Sequence, residues 1–238
     1  MSKWGIDLGG TKIECAVISD AHQVLFRERV PTEQEGGYEH ILGQIRKIVD
    51  LGVAQTAEEP AHIGMCTPGS IDPDTGLLKN SNTVVLNGKP FLQDVHRALG
   101  RPVYTENDAN CLALAEYHMG IVPEVALGAE SVFGLILGTG VGGGIVAHGR
   151  LISGRNGIAG EWGHNFLDAS GGDCYCGRKG CVETLISGPA LERFYAELSG
   201  EKRRLQQIRD RARAGADEAA RQTLQRLIHF FGYGISWV

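Results

Sequence analysis

Long hydrophobic runs and an excess of charge of one sign are both missing from this 238-residue sequence. No apolar stretch reaches the length of a membrane-spanning helix, and the first ten residues lack the order of a secretory signal peptide. The 23 basic and 28 acidic residues are mixed along the chain, which leaves no basic surface for nucleic acid or for an anionic membrane. The composition therefore predicts a soluble cytoplasmic protein with neither of those partners.

Cysteine is scarce and glycine is abundant, with six and 34 residues respectively. In a cytoplasmic protein the cysteines are expected to be reduced thiols or metal ligands before disulfides. The length of the chain leaves the number of domains open. Most of the informative glycines fall in three clusters, and these are the places to look for function.

Hydrophobic periodicity predicts strands and helices that alternate along the chain. Strands are predicted at residues 4–8, 12–18, 24–30, 62–66, 102–105, 131–137 and 143–147, and helices at residues 91–99, 109–119, 203–213 and 219–231. A further helix begins near Tyr38 and is predicted to stop at Gly52. This alternation indicates an α/β fold.

Two segments with the same pattern of strand, glycine turn and strand suggest an internal repeat. Residues 5–12 can be placed over residues 134–141, and the match continues to Val17 over Val146. Such a pair favours two related domains that each present backbone N–H groups from a turn to a phosphate chain. Either turn taken alone could equally be an ordinary β-turn.

One histidine and three closely spaced cysteines have the composition of a zinc site. His164 precedes Cys174, Cys176 and Cys181, and glycines at 177 and 180 let the loop fold tightly enough for the thiols to converge. Stray structural cysteines are the alternative, although Cys15, Cys66 and Cys111 already supply that kind. Four protein ligands leave no open position, so the metal is predicted to be structural.

A carboxylate at the junction of a strand and a helix is the candidate base. Asp108 lies in the segment Glu106-Asn107-Asp108-Ala109-Asn110, near the positive end of the helix that follows. Ligands of α/β proteins bind at such strand ends. The alternative is a plain N-cap, for which Asn and Asp are preferred.

With these motifs the chain resembles the ROK family of bacterial sugar kinases and repressors. The matching segments are Asp7-Leu8-Gly9-Gly10-Thr11-Lys12, Thr67-Pro68-Gly69, Asn107-Asp108-Ala109-Asn110, Gly138-Thr139-Gly140-Val141-Gly142-Gly143-Gly144, and Gly160-Glu161-Trp162-Gly163-His164 with Cys174, Cys176, Cys181 and Glu183. The resemblance implies an actin-like ATPase (ribonuclease H-like) fold of two domains with a central cleft, and the domains are predicted at 1–106 and 107–238. It also implies a homodimer.

The same resemblance implies a role for each matching residue. Asp108 would remove the proton from the sugar hydroxyl, and the residues holding the sugar would be Gly69, Asn82, Asn107, Asp108, Glu161, His164 and Glu183. ATP phosphates would lie at Gly9, Gly10, Thr11, Thr139 and Gly140, with Asp7 near Mg²⁺ and Lys12 near the phosphates. His164 would contact both sugar and Zn²⁺. The alternatives are a surface salt bridge for the two glutamates and a turn-forming role for Asn82. Trp162 is predicted to be a packing residue.

A ROK kinase normally continues with an adenosine-binding segment and a terminal helix, so the natural chain is expected to extend beyond Val238 and this one to bind ATP weakly. Fructose or mannose, phosphorylated at the 6-hydroxyl, is the first substrate prediction, followed by N-acetylglucosamine and then glucose. A sugar-sensing repressor of the same family is the rival class. It is disfavoured because the first glycine segment follows Met1 within a few residues and leaves no room for a DNA-binding domain. An actin-like or chaperone-type ATPase that binds protein is a third hypothesis, against which the zinc and sugar-pocket motifs argue.

Overall fold

A computed structural model describes residues 2–238, which form two compact units. Unit 1 contains the described residues up to Cys111 together with Ser153–Ile158, and unit 2 contains Leu112–Ile152 and Ala159–Val238. The sequence predicted a single domain boundary between residues 106 and 107. In the structure the units are interleaved along the chain, because Ser153–Ile158 belongs to unit 1 while the residues on either side belong to unit 2. Each unit is described by itself below.

Unit 1 is an α/β unit built on a mixed five-stranded sheet. Its elements are β1 (Lys3–Leu8), β2 (Lys12–Ile18), β3 (Val24–Pro31), α1 (Tyr38–Thr56), β4 (Ile63–Thr67), β5 (Ser70–Ile71), β6 (Leu78–Lys79), α2 (Phe91–Leu99), β7 (Val103–Asn107) and the first turn of α3 (Asp108–His118). The strand order is β3-β2-β1-β4-β7. Strands β1, β2 and β3 pair antiparallel, while β1, β4 and β7 run parallel.

Alternation of buried and exposed residues explains the sheet of unit 1. In β1, every second side chain is buried, at Trp4, Ile6 and Leu8. Helices α1 and α2 cover this face with apolar side chains of their own, and one continuous core results. Burial of that apolar surface is the main stabilising contribution to unit 1.

Helix α1 continues past the glycine at which the sequence predicted its end. It runs to Thr56, and Gly52 lies buried inside it. A Cβ atom at Gly52 would lie 2.7 Å from the Trp4 ring, so the missing side chain lets the helix pack against β1. Gly52 is therefore a packing residue, and the predicted stop there is wrong.

Unit 2 joins a small antiparallel sheet to a set of helices. It contains the rest of α3, followed by α4 (Val122–Val125), β8 (Ser131–Leu137), β9 (Val141–Ala147), β10 (Arg150–Leu151), α5 (Val182–Ile186), α6 (Gly188–Ser199), α7 (Leu205–Ala214) and α8 (Glu218–Ile235). The sheet order is β10-β9-β8. Its apolar core is smaller and centres on Trp162, Val182 and Leu185, which confirms Trp162 as a packing residue. A second cluster around Tyr195 joins the last three helices.

No helix within residues 2–238 has the length and apolar character needed to cross a membrane.

Candidate active site and metal centre

Three parallel strands of unit 1 end at the same edge of the sheet. The residues that follow are Gly9-Gly10-Thr11 after β1, Pro68-Gly69 after β4, and Asp108 after β7. The carboxyl ends of parallel strands are where α/β proteins bind ligands. The fold therefore gathers three of the predicted motifs at one edge of unit 1.

The first glycine turn, Gly9-Gly10-Thr11, is held by its carbonyl groups. Thr32 donates twice, from Oγ1 to the Gly9 carbonyl (2.7 Å) and from its N–H to the Thr11 carbonyl (3.0 Å). The Gln34 side-chain amide donates to the Gly10 carbonyl. Within residues 2–238 nothing accepts a hydrogen bond from the N–H of Gly10 or of Thr11. The turn therefore has fixed carbonyls and two N–H groups available to an anion.

Asp7 lies on β1, two residues before the first glycine of this turn. Burial raises the pKa of its carboxyl, and the charges of Asp108 and Glu14 raise it further, while Lys12 and Arg29 act in the opposite direction. The carboxylates of Asp108 and Glu14 thus each repel that of Asp7 at this edge of unit 1. A cation beside Asp7 would relieve that repulsion.

Asp108 is the first residue of α3 and its side chain is exposed. Its Oδ1 accepts the Ala109 N–H (2.8 Å), which the Asn107 side chain also accepts (2.9 Å). The Asn107 and Asp108 side chains therefore share this N–H at the start of α3. Although Asp108 as a whole residue is exposed, the protein around its carboxyl partly desolvates that group and raises its pKa, against the lowering effect of the hydrogen bonds from Ala109 and Asn107. An exposed, oriented carboxylate of increased basicity has the properties of a general base.

Gly69 and Asn82 lie on a short hairpin segment of unit 1. Gly69 has φ 109°, and a Cβ there would collide with the backbone of residues 79–81. Asn87 clamps the same segment through hydrogen bonds to the N–H (2.8 Å) and carbonyl (2.9 Å) of Ser81. The Asn82 side chain is exposed, and its Oδ1 would lie 4.0 Å from a Cβ at Gly10. Asn82 thus lies near the first glycine turn.

The second glycine turn, Gly138-Thr139-Gly140, joins β8 to β9 in unit 2 and has different supports. The Gly188 N–H donates to the Gly138 carbonyl (2.8 Å), and the Gly138 N–H donates to the Gly140 carbonyl (2.9 Å). Glu183 accepts the Val141 N–H through Oε2 at 2.9 Å. The carboxylate predicted to hold sugar therefore also fixes the end of this turn.

The predicted metal ligands come together in unit 2. The candidate ligand atoms of His164, Cys174, Cys176 and Cys181 all lie within 4.8 Å of one another. The Cys174 thiol lies 3.6 Å from His164 Nδ1, and the Cys176 and Cys181 sulfurs are 3.7 Å apart. Gly180 has φ 68° and lies against the Asp168 carbonyl, where a Cβ would not fit. One nitrogen and three sulfurs at this spacing fit a tetrahedral zinc ion.

The other nitrogen of His164 has a polar neighbour of its own. His164 Nε2 lies 3.0 Å from the Tyr175 hydroxyl. The pKa of Tyr175 is raised to about 12. Burial is the largest cause, and the negative charges of Glu183 and other neighbours, Glu161 among them, add to it. His164 therefore has Nδ1 beside the Cys174 thiol and Nε2 beside the Tyr175 hydroxyl.

The ROK family pattern matches residues 3–237. The chain belongs to the ROK family. An N-acetyl-D-glucosamine kinase from Pasteurella multocida (strain Pm70) is 38% identical over 230 residues, which are 92% of this chain and 74% of that protein. The crystal structure of a ROK hexokinase from Thermus thermophilus superposes with TM-score 0.83 at 35% identity, over 99% of this chain and 76% of that one. A ROK glucokinase from Streptomyces griseus, solved with glucose and AMPPNP, has TM-score 0.77 at 28% identity, over 99% and 78%.

These similarities confirm that the chain is a ROK sugar kinase with the α/β, actin-like ATPase fold. The sugar in the name of the Pasteurella relative is N-acetyl-D-glucosamine, which the sequence ranked second to fructose or mannose. The sequence did not single out Thr32, Gln34 or Tyr175, whose side chains contact the first glycine turn or His164 in the structure. Tyr175 lies inside the cysteine motif and could have been singled out, but Thr32 and Gln34 belong to no motif.

Proposed function

We propose that this ROK kinase transfers the γ-phosphoryl group of ATP to the 6-hydroxyl of N-acetyl-D-glucosamine. The support for the sugar is the 38% identity to the Pasteurella enzyme over 92% of this chain. Fructose and mannose, the first prediction from sequence, have no comparable support among the relatives described above. Glucose remains the competitor to measure against, because the Streptomyces glucokinase was solved with it.

The observation that carries the mechanism is the exposed Asp108 carboxylate at the end of β7. In the proposed reaction the sugar oxygen bonds to the γ-phosphorus, the bond from that phosphorus to the ADP oxygen breaks, and Asp108 takes the hydroxyl proton. Its raised pKa makes it a better proton acceptor. As pH falls through that pKa the carboxylate becomes protonated, and turnover should fall with it.

Alignment and charge neutralisation are most of what phosphoryl transfer requires. We assign the N–H groups of Gly9, Gly10, Thr11, Thr139 and Gly140 to the ATP phosphates, with Lys12 beside them. Asp7 would hold the magnesium ion that accompanies ATP, which shields phosphate charge. The sugar hydroxyls are assigned to Gly69, Asn82, Asn107, Glu161, His164 and Glu183.

The cluster of His164, Cys174, Cys176 and Cys181 is proposed to hold a structural zinc ion. Four protein donors complete a tetrahedral shell, so no coordination position is left for substrate or water. The function of such an ion is to fix the conformation of residues 164–181. Through His164, that order would extend to the sugar.

A coupled assay of ADP release with N-acetyl-D-glucosamine, glucose, mannose and fructose tests the proposal. We expect kcat/KM to be highest for N-acetyl-D-glucosamine, by about tenfold or more over glucose, because pockets that bond a polar group discriminate strongly against its absence. Preference for fructose or mannose would restore the first prediction from sequence. Sugar binding without ADP release would favour the repressor, and ADP release without sugar would favour a protein-binding ATPase.

A further inference from the structure

The segment after β3 makes a row of hydrogen bonds that the proposed reaction does not yet explain. Thr32 and Gln34 together bond all three carbonyls of the first glycine turn. Thr32 is completely buried although its side chain is polar. The segment's Gln34 amide also lies close beside Gly10, 3.0 Å from where a Cβ would be.

The planar peptide bond links each of these carbonyls to the N–H group of the next residue. In a trans peptide the carbonyl of one residue and the N–H of the next point to opposite sides of the chain. Fixing the Gly9 carbonyl therefore aims the Gly10 N–H, and fixing the Gly10 carbonyl aims the Thr11 N–H. These are the two N–H groups that donate to no residue in the described part of the chain.

Without such restraints a glycine turn is free to rotate its peptide planes, because glycine tolerates almost all backbone conformations. A turn with rotating peptides presents its donors to a phosphate only part of the time. Preorganised donors avoid that loss, which is how oriented N–H groups gain affinity for an anion.

We propose that Thr32 and Gln34 are positioning residues that aim the Gly10 and Thr11 N–H groups at the phosphates of ATP. The inference deepens the proposed function and rests on it for the identity of the anion. Neither side chain contacts the nucleotide in this scheme. Both act through the turn.

The test compares Thr32→Val with Thr32→Ser, since valine keeps the shape and serine keeps the hydroxyl. The dissociation constant of AMPPNP with Mg²⁺ is measured by titration calorimetry, and kcat and both KM values by the coupled assay. Loss of one buried hydrogen bond should weaken AMPPNP binding about tenfold in Thr32→Val, with Thr32→Ser within about twofold of wild type. The KM for sugar should not change.

Thr223→Val is the matched control, because Thr223 is also completely buried and donates from Oγ1 to a backbone carbonyl, that of Ala219 at 2.8 Å. It removes the same kind of bond from α8, and AMPPNP affinity should stay at the wild-type value. If Thr32→Val does not fold, Gln34→Leu provides the test. Gln34 is half-buried, and this variant removes its hydrogen bond to the Gly10 carbonyl, which aims the Thr11 N–H.

Wild-type affinity in Thr32→Val, equal weakening in Thr223→Val, or an equal rise in the KM for sugar would each overturn the inference. The outcomes also separate it from the proposed function. If the wild-type chain releases no ADP with any sugar and Thr32→Val still weakens AMPPNP binding, the positioning role stands and the kinase proposal fails. If turnover is normal and Thr32→Val changes nothing, the reverse holds.

Discussion

The two units stabilise similar hairpins in different ways. Unit 1 has a continuous apolar core, and uncharged side chains hold its glycine turn. Unit 2 has a smaller apolar core, a histidine–cysteine cluster, and a carboxylate beside its glycine turn. A small core buries less apolar surface, and a structural metal is a common way to compensate for that. The comparison indicates that apolar packing contributes most to the stability of unit 1, whereas hydrogen bonds and the histidine–cysteine cluster contribute a larger share in unit 2.

The turns themselves differ in length as well as in support. The last paired residues are Leu8 and Ile13 around the first turn, but Leu137 and Val141 around the second. In the first, the side-chain supports bond to carbonyls, whereas in the second the side-chain support, Glu183, bonds to an N–H. An alignment of the two sequences shows the shared pattern but not this difference.

The largest expected effect separates chemistry from stability in unit 1. Asp108→Asn should lower kcat by about 10² to 10⁴, the usual contribution of a general base, while sugar binding and the unfolding midpoint stay near wild type. Asp50→Asn is the control, because Asp50 is an exposed carboxylate of unit 1 whose ion pair is with Arg46 on the same helix. Near-normal turnover in Asp108→Asn would refute the assignment.

Removing one metal donor should destabilise unit 2 far more than losing a comparable thiol from unit 1. Cys181 and Cys15 are both completely buried, so Cys181→Ala and Cys15→Ala form a matched pair. We expect the first to lower the free energy of unfolding by more than about 3 kcal/mol, because metal-binding energy contributes directly to folding, and the second by about 1 kcal/mol. Urea unfolding and zinc analysis measure this. Equal losses, or a wild-type protein without zinc, would contradict it.

A smaller effect is expected at the second glycine turn. Glu183→Ala leaves the Val141 N–H without its acceptor and should cost about 1–3 kcal/mol, with faster hydrogen exchange at that amide. Glu183→Gln keeps a side-chain oxygen and should lose less. If the amide of Val141 exchanges at the wild-type rate in Glu183→Ala, the carboxylate is not its support.

The smallest effect compares the glycines themselves. A Cβ at Gly140 would lie 2.7 Å from Glu183 Oε2, and one at Gly10 would lie 3.0 Å from Gln34 Nε2. Both atoms end flexible side chains that can move, so each alanine variant should lose about 1 kcal/mol or less, with the greater loss at Gly140. Urea unfolding of both variants measures the loss in free energy of unfolding. A greater loss for Gly10→Ala than for Gly140→Ala would contradict the expected order.

Local sequence signals predicted those parts of the molecule that depend on local interactions. The two hairpins, the strand before Asp108 and the convergence of three thiols on His164 follow from alternation, turn residues and short spacing. Gly52 shows the limit, because the reason for its small size is a Trp4 ring 48 residues earlier in the chain. Thr32, Gln34 and the second role of Glu183 depend likewise on partners distant in sequence. No propensity or motif reports such contacts.

The interleaving of the units also has a practical consequence. Ser153–Ile158 belongs to unit 1, although the chain on either side of it belongs to unit 2. Dividing the gene after codon 111 would leave the N-terminal product without this peptide and give the C-terminal product a surplus loop. To express unit 1 separately, an engineer would have to add these six residues to its chain, and to express unit 2 separately the same six residues would have to be removed.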